Sequence, residues 1–419
     1  MLKTIYIDNF KSFKDFEIEI DKFNIIIAPN NAGKSNFLAA LNFLKYATLN
    51  PDDAIEEFGG FDKIKNIFLN KEKIHFRVNF YFKKLSSIGW RFLTDIKKEE
   101  YFLEVLKDIE IVININIYKN KWNCFYHIKG RVGEKNCDAL VKEKEEDKNI
   151  RTFPFEIKFE TKKDNDKIIS QLKDIQGQDK DKILYALKLD KFINSPEVNY
   201  TKLNENFFGI NSFFNSYNFY TEKIKREIKG GNTLNQNGTN LVSVLSFIKE
   251  KNPDIFETIS DSLVGIVSEL NKIKISKDLI DRNILLFGEK SKFLPIDIIS
   301  DGTLHIIALA TAIFEPKPKK MVAFDEIEKH LHLKAIDYII NILKEQSFQT
   351  IMTTQNSEIL NTMDKKDNLI FLYRDYEGFT KGLNARKIEN LNKKIKRYKK
   401  LSTIIKNEIL GYLGDYDEK

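Results

Sequence analysis

Ile25-Ile26-Ile27-Ala28-Pro29-Asn30-Asn31-Ala32-Gly33-Lys34-Ser35-Asn36-Phe37-Leu38 decides how this chain is read. An uninterrupted apolar run entering a Pro-Asn-Asn turn has the form of a buried strand that opens into a loop. From Lys34 onward Phe37, Leu38, Leu41 and Leu44 recur at helical spacing, so a helix follows. Between strand and helix, Ala28 to Ser35 differs at one position from the phosphate-binding pattern G-x-x-x-x-G-K-[ST]. Backbone N–H groups of such a loop and of the first helical turn face phosphate oxygens. Gly33 lets the backbone approach closely, Lys34 places a charge between the terminal phosphates, and Ser35 offers a hydroxyl to Mg²⁺. Asn30, Asn31 and Asn36 belong to the same candidate nucleotide-binding segment. The departure is Ala28 in place of the first Gly; its methyl is tolerated at negative φ and costly at positive φ.

Upstream, Leu2, Ile5 and Ile7 lead into Phe10, and Phe16, Ile18 and Ile20 alternate with Glu17 and Glu19, which reads as two further strands. Residues 70–160 change character. Ile74, Phe76, Val78, Phe80 and Phe82, then Ile109 to Ile117 at every second residue, then Trp122 to Ile128 predict half-buried antiparallel strands in a meander. Residues 140–182, crowded with Lys, Glu and Asp, read as a solvated, partly helical projection. Asn240–Lys251 and Ile255–Lys274 read as helices, the second with Ile259, Leu263, Ile266, Val267 and Leu270 on one face. Strand and helix then alternate: Met321–Phe324, His332–Lys344, Thr350–Thr353, Glu358–Met363 and Asn368–Tyr373. That order implies a mostly parallel sheet with crossover helices.

The expected fold class is therefore α/β, a P-loop NTPase with a mixed sheet, an antiparallel β subdomain and a helical insertion. Its expected divisions are 1–69, 70–235, 236–380 and 381–419, the last a basic amphipathic helix. The chain of 419 residues has 42% hydrophobic residues, enough for a sizeable core without staples and against general disorder. Lys and Arg number 68 against 61 Asp and Glu, and the resulting +7 is too small to announce a nucleic-acid-binding protein. With only Cys124 and Cys137, a disulfide scaffold or a four-cysteine zinc site is excluded. No apolar run approaches the roughly 20 residues of a membrane span, and the start carries no secretory stretch. We expect a soluble cytoplasmic protein with no membrane contact.

Three later segments complete the candidate site. Met321-Val-Ala-Phe-Asp325-Glu326 is an apolar strand ending in two carboxylates; Asp325 would join the Mg²⁺ shell and Glu326 would polarise an attacking water. Ser300-Asp301-Gly302 precedes the helix Leu304–Phe314 and offers an anion pocket of backbone N–H groups, although Ser300 as a plain N-cap explains it better. Thr353-Thr354-Gln355-Asn356-Ser357 follows another apolar strand; its polar groups suit sensing of a γ-phosphate and equally suit helix caps.

The order of these segments resembles ABC-type ATPases of the SMC, RecF and OLD kind. It is most similar to compact prokaryotic members such as the ATPase subunits of the antiphage systems PARIS and Septu. Ile7 to Phe13, Ala28 to Asn36, Phe58 to Phe61, Asn237 to Leu241, Ser300 to Thr303, Phe324 to Glu328 with Leu331-His332, and Thr353-Thr354 carry the resemblance. It implies ATP and Mg²⁺ as ligands, Lys34 and Ser35 as the Walker A pair, Asp325 and catalytic Glu326 as the Walker B pair, and Ser300 to Gly302 as the signature. It further implies a homodimer or higher homo-oligomer in which each signature meets the nucleotide of the other subunit. Ile327 replaces the usual Pro, and Gln355 stands at the catalytic switch position where the family has His. A Gln donates a hydrogen bond but carries no proton near neutral pH, so slower or differently gated hydrolysis is expected.

Three functions follow from the resemblance: an ATPase controlling a separate effector, nuclease or toxin, in antiviral defence; a nucleotide-gated scaffold with little turnover; or a DNA-repair ATPase. His330 and His332 give only two ligands in a loop and are declined as a metal site. Residues 381–406 hold ten Lys or Arg against Glu389, with Ile388, Leu391, Ile395, Tyr398 and Ile405 in a stripe. A helix packed on the sheet is the plainer reading, and a DNA phosphate contact the sharper one. No second catalytic site is visible, so any nuclease would be another chain.

Overall fold

The computed structural model describes residues 1–47, 51–84, 106–119, 121–132, 135–145, 151–152, 155–159, 214–226, 230–267, 269–317, 319–356, 359 and 369–387. In chain order the first elements are β1 Leu2–Asp8, β2 Phe16–Glu19, β3 Phe23–Ile27, α1 Lys34–Ala47, α2 Pro51–Glu57 and α3 Phe61–Ile64. Then come β4 Ile74–Lys84, β5 Leu106–Ile117, β6 Trp122–Val132, β7 Lys135–Glu145, β8 Arg151–Thr152, β9 Phe155–Phe159 and β10 Phe214–Tyr217. α4 Thr221–Arg226, α5 Leu241–Lys251, α6 Pro253–Val264, β11 Leu270–Lys277, β12 Asn283–Glu289 and β13 Lys292–Pro295 follow. The last are α7 Asp301–Phe314, β14 Met321–Phe324, α8 Leu333–Glu345, β15 Gln349–Thr354, β16 Leu369–Arg374 and β17 Thr380–Asn384.

The chain forms two units. The first takes Met1–Asp21, Ala39–Phe213 and Tyr373–Asn384. Its sheet is antiparallel throughout, in the order β2-β1-β4-β5-β6-β7-β8, with β9 also on β7. The period of two in the sequence sends Ile5, Ile7, Phe76, Val78, Ile111, Ile113 and Ile115 to one buried face. Phe10, Phe43 and Phe76 close that core, with ring centroids 5.2 to 5.5 Å apart. The meander read from residues 70–160 is present.

The second unit takes Lys22–Leu38, Phe214–Leu372 and Ala385–Lys419. Its strands stand in the order β10-β14-β15-β3-β16, every neighbouring pair parallel. β3, β14 and β15 are buried at every residue, which is why they read as continuous rather than alternating apolar runs. Helices α5 to α8 supply Leu241, Leu245, Phe256, Ile259, Ile307 and Ile340 to its core. Each such side chain contributes about 1.5–3 kcal/mol on leaving water. This is the α/β P-loop fold expected from the order of elements.

Four sequence readings change. The helix over Ile255–Lys274 ends at Val264, and Leu270 opens β11 of a three-stranded antiparallel sheet with β12 and β13. Ile273 and Ile275 alternate with Lys272, Lys274 and Ser276, a period of two that the longer apolar stripe masked. β10 and α4, placed by the division at 235 with the antiparallel strands, fold with the second unit. Lys381–Asn384 is strand rather than the start of a helix, because Gly378 at φ 82° turns the chain back into β17. Residues 140–145 extend β7, and 151–152 and 155–159 form β8 and β9, rather than a helical projection; the rest of that projection, the helix 358–363 apart from Ile359, and the basic segment from 388 lie outside the described residues. Among the described residues no helix is long and apolar enough to cross a membrane.

Candidate functional site

Parallel pairing brings three strand ends together in the second unit. β15 lies between β14 and β3, with Phe324 opposite Met352 and Ile27 opposite Thr354. Strand neighbours stand about 4.8 Å apart, so the loop leaving β3 and the acids leaving β14 emerge roughly 10 Å from each other. The crevice at the carboxyl ends of parallel strands is where such sheets hold ligands.

Ala28 is buried and its amide donates to the Thr354 carbonyl at 3.3 Å, continuing the ladder by one residue. It is not among the residues at positive φ, so the methyl in place of the first Gly is accommodated. Asn31 at φ 65° and Gly33 at φ 108° supply the left-handed steps that turn the loop, and Lys34 opens α1. Asn30, Asn31 and Ser35 are exposed, Asn36 half-buried, and Lys34 buried. The Lys34 ammonium donates to the carbonyls of Ala28 at 2.8 Å and Pro29 at 3.1 Å. Burial lowers its pKa, opposed by the nearby negative charges of Glu326, Asp325 and Glu328. Residues almost 300 positions apart therefore share one electrostatic neighbourhood.

Asp325 is held on both oxygens. Thr353 Oγ1 donates to Oδ1 at 2.5 Å, and Asn218 Nδ2 donates to Oδ2 at 3.0 Å. Each carboxylate oxygen keeps a further lone pair, the condition of an oriented metal ligand. Glu326 follows at φ 49°, a left-handed backbone that costs a non-glycine residue about 1–2 kcal/mol. Its amide donates to Thr353 Oγ1 at 3.0 Å, and its carbonyl accepts from Lys329 N at 3.0 Å. Ile327, in place of the family's Pro, is fully buried and anchors the loop. Gln355 Nε2 reaches Glu326 Oε1 at 3.4 Å. The Ser35 hydroxyl and the Asp325 carboxylate are the oxygens that would hold Mg²⁺ together with substrate phosphates, since Mg²⁺ is bound by one or two protein oxygens rather than an all-protein cage.

The structure thus gathers Lys34, the Ala28–Asn36 loop, Asp325, Glu326 and Gln355. Ser300, Asp301 and Gly302 stand at the N-terminus of α7. Ser300 is its N-cap: Oγ accepts from Thr303 N at 3.2 Å. Asp301 pairs with Lys225 at 2.9 Å, and that hydrogen bond holds its carboxyl below the ordinary carboxylate range. A Cβ on Gly302 would stand 2.6 Å from the His330 carbonyl oxygen, so only glycine allows α7 to approach the loop after Glu326. Asn218 was missed from sequence; a lone Asn one residue past β10 has no periodic signal. From sequence Thr353 suits a γ-phosphate or a cap, and its role as the partner of Asp325 emerges only from strand pairing.

Comparison with known proteins agrees with this geometry. A family model described as "AAA domain, putative AbiEii toxin, Type IV TA system" matches residues 23–361. An ATP/GTP phosphatase of Helicobacter pylori (strain ATCC 700392 / 26695) is 24% identical over 388 residues, covering 87% of this chain and 88% of that protein. The crystal structure of an SMC head bound to the C-terminal winged-helix domain of ScpA superposes with a TM-score of 0.51 at 15% identity, covering 92% of this chain and 99% of that one. The likeness to that head is one of fold. With four fifths of the chain matched by the family model and the phosphate loop facing the paired acids, the chain belongs to this AAA-domain family and is a P-loop ATPase.

Proposed function

We propose that this ATPase binds Mg²⁺·ATP between the Ala28–Asn36 loop and Asp325-Glu326. In this reading hydrolysis occurs at the interface of a homodimer or higher homo-oligomer and controls a separate effector. The observation that carries the reading is Thr353. Its one hydroxyl bonds both Asp325 Oδ1 and the Glu326 amide, on the strand that lies directly beside the one feeding the loop.

Backbone N–H groups of the loop and Asn30, Asn31 and Asn36 receive the phosphates, aided by the positive end of α1. Lys34 exchanges its two carbonyl partners for phosphate oxygens, whose negative charge offsets the desolvation its buried ammonium bears. Ser35 and Asp325 would hold Mg²⁺, which would supply charge neutralisation for phosphoryl transfer. Glu326 orients the attacking water, and Gln355 steadies Glu326 and senses the γ-phosphate as a neutral donor. Phosphoryl transfer needs mainly such positioning and charge neutralisation.

Ser300 to Gly302 point to the oligomer. They cap α7, and in the family this chain resembles such a signature meets the nucleotide of a second copy. An SMC head that carries a bound ScpA domain supports a separate protein partner; that this partner is an effector, nuclease or toxin, and that the pair serves antiviral defence, follows from the resemblance to antiphage ATPase subunits. Gln355 favours a second reading, in which nucleotide binding assembles a scaffold and turnover is minor. Light scattering separates them. Under the first, ATP dimerises Glu326→Gln durably and wild type only transiently; under the second, both dimerise alike. No association with ATP in either protein would contradict both.

A further inference from the structure

Glu328 enters the account above only as a charge near Lys34, yet it is a tightly held carboxyl beside the site. The loop after β14 is stitched to the end of β15 by two clamps. Thr353 forms the first. In the second, Thr354 Oγ1 donates to Glu328 Oε1 at 2.8 Å and the Gln355 amide donates to the same oxygen at 3.1 Å. Thr354 Oγ1 accepts in turn from the Asn356 amide at 2.9 Å. Glu328 Oε2 is buried without a hydrogen-bond partner among the described residues. Burying a carboxyl with one oxygen unserved is costly, and a surface turn needs no such group.

The geometry gives that cost a purpose. β15 ends at Thr354, so Gln355 is the first residue free of the ladder, and its amide would otherwise face solvent. Fixing that amide fixes where the side chain starts, and the side chain reaches Glu326 Oε1 at 3.4 Å. We propose that Glu328 is a positioning residue: by bonding Thr354 and the Gln355 backbone it places the Gln355 amide group against Glu326. In this role it acts through Gln355 rather than on the reacting groups. This inference rests on the proposed ATPase site.

Kinetics of the full chain test it. Glu328→Ala is expected to lower kcat roughly tenfold to a hundredfold with ATP Kd changed less than about twofold, since a misplaced group costs rate rather than binding. Glu328→Gln keeps a carbonyl at the Oε1 position and restores most of the rate. Thr354→Val cuts the clamp from the other side, lowers kcat in the same direction, and decides the matter if Glu328→Ala fails to fold. Added to Gln355→Ala, Glu328→Ala causes no further loss.

Amide hydrogen exchange at Gln355, read without nucleotide, is expected to quicken about tenfold in Glu328→Ala as the acceptor is lost. The proposal is overturned by unchanged exchange and kcat in Glu328→Ala, by losses that add to those of Gln355→Ala, or by Glu328→Gln as impaired as the alanine variant. A wild type that neither binds nor hydrolyses ATP would sink the site assignment instead, and exchange at Gln355 would then decide Glu328 alone.

Discussion

Thr353 donates its hydroxyl to Asp325 Oδ1 at 2.5 Å while accepting the Glu326 amide at 3.0 Å, so one side chain orients a metal-type carboxylate and braces a left-handed backbone. Thr353→Val keeps the shape and removes both bonds. We predict that the Mg²⁺ concentration for half-maximal ATPase activity rises about tenfold, the usual size of an outer-shell effect on metal affinity. A Mg²⁺ titration with an unchanged midpoint would show that Thr353 is only packing.

Glu326→Gln leaves the fold and nucleotide affinity intact, because Gln tolerates the same backbone and keeps a polar end. It removes the charge that orients water. Loss of kcat by about a hundredfold or more, with Kd for ATP within twofold, is the expected split. Comparable loss in both constants would move Glu326 from turnover to binding.

Gly302→Ala sets a methyl 2.6 Å from the His330 carbonyl oxygen, a backbone atom that yields only if the loop after Glu326 moves. Overpacking of this kind costs about 1–3 kcal/mol. Thermal unfolding should report a lower Tm, with ATPase activity falling as well. An unaltered Tm would mean that α7 and the His330 backbone do not need this close approach.

His305, on α7, is buried beside the ring of Phe219, 5.9 Å between centroids, and burial pulls its pKa down to about 4. The unfolded chain, with an ordinary histidine near pH 6.5, binds the proton more tightly. Stability is therefore full above about pH 6.5 and declines as pH falls toward 4, by something on the order of 3 kcal/mol from this one group. His305→Phe should flatten that limb in urea titrations from pH 7 to 4.5. An equally steep decline in the variant would assign the acid sensitivity to other groups.

Much of this was legible in the sequence for one physical reason: buried parallel strands ending in functional loops leave local signatures. The run to Ile27 with Gly33-Lys34 after it, and Met321–Phe324 with two acids after it, each carry strand, turn and chemistry within a dozen residues. Ser300 also read correctly as an N-cap. What escaped is pairing across distance. Asn218 meets Asp325 across 107 positions, and no periodicity announces it. β11 escaped because Ile266 and Val267 extend the stripe of α6 past Gly265, where the helix has already closed. Glu328 was visible within Asp325–Glu328 but had no role until its partners Thr354 and Gln355 were placed.

Convergence of Lys34 with Asp325 and Glu326 around one nucleotide is tested most directly by calorimetric titration of Mg²⁺·ATP into the wild-type chain and into Lys34→Ala. We predict saturable binding near one nucleotide per chain in the wild type and at least about hundredfold weaker binding in the variant, whose circular dichroism is unchanged. No heat of binding from folded wild type, or equal affinity in Lys34→Ala, would contradict the account.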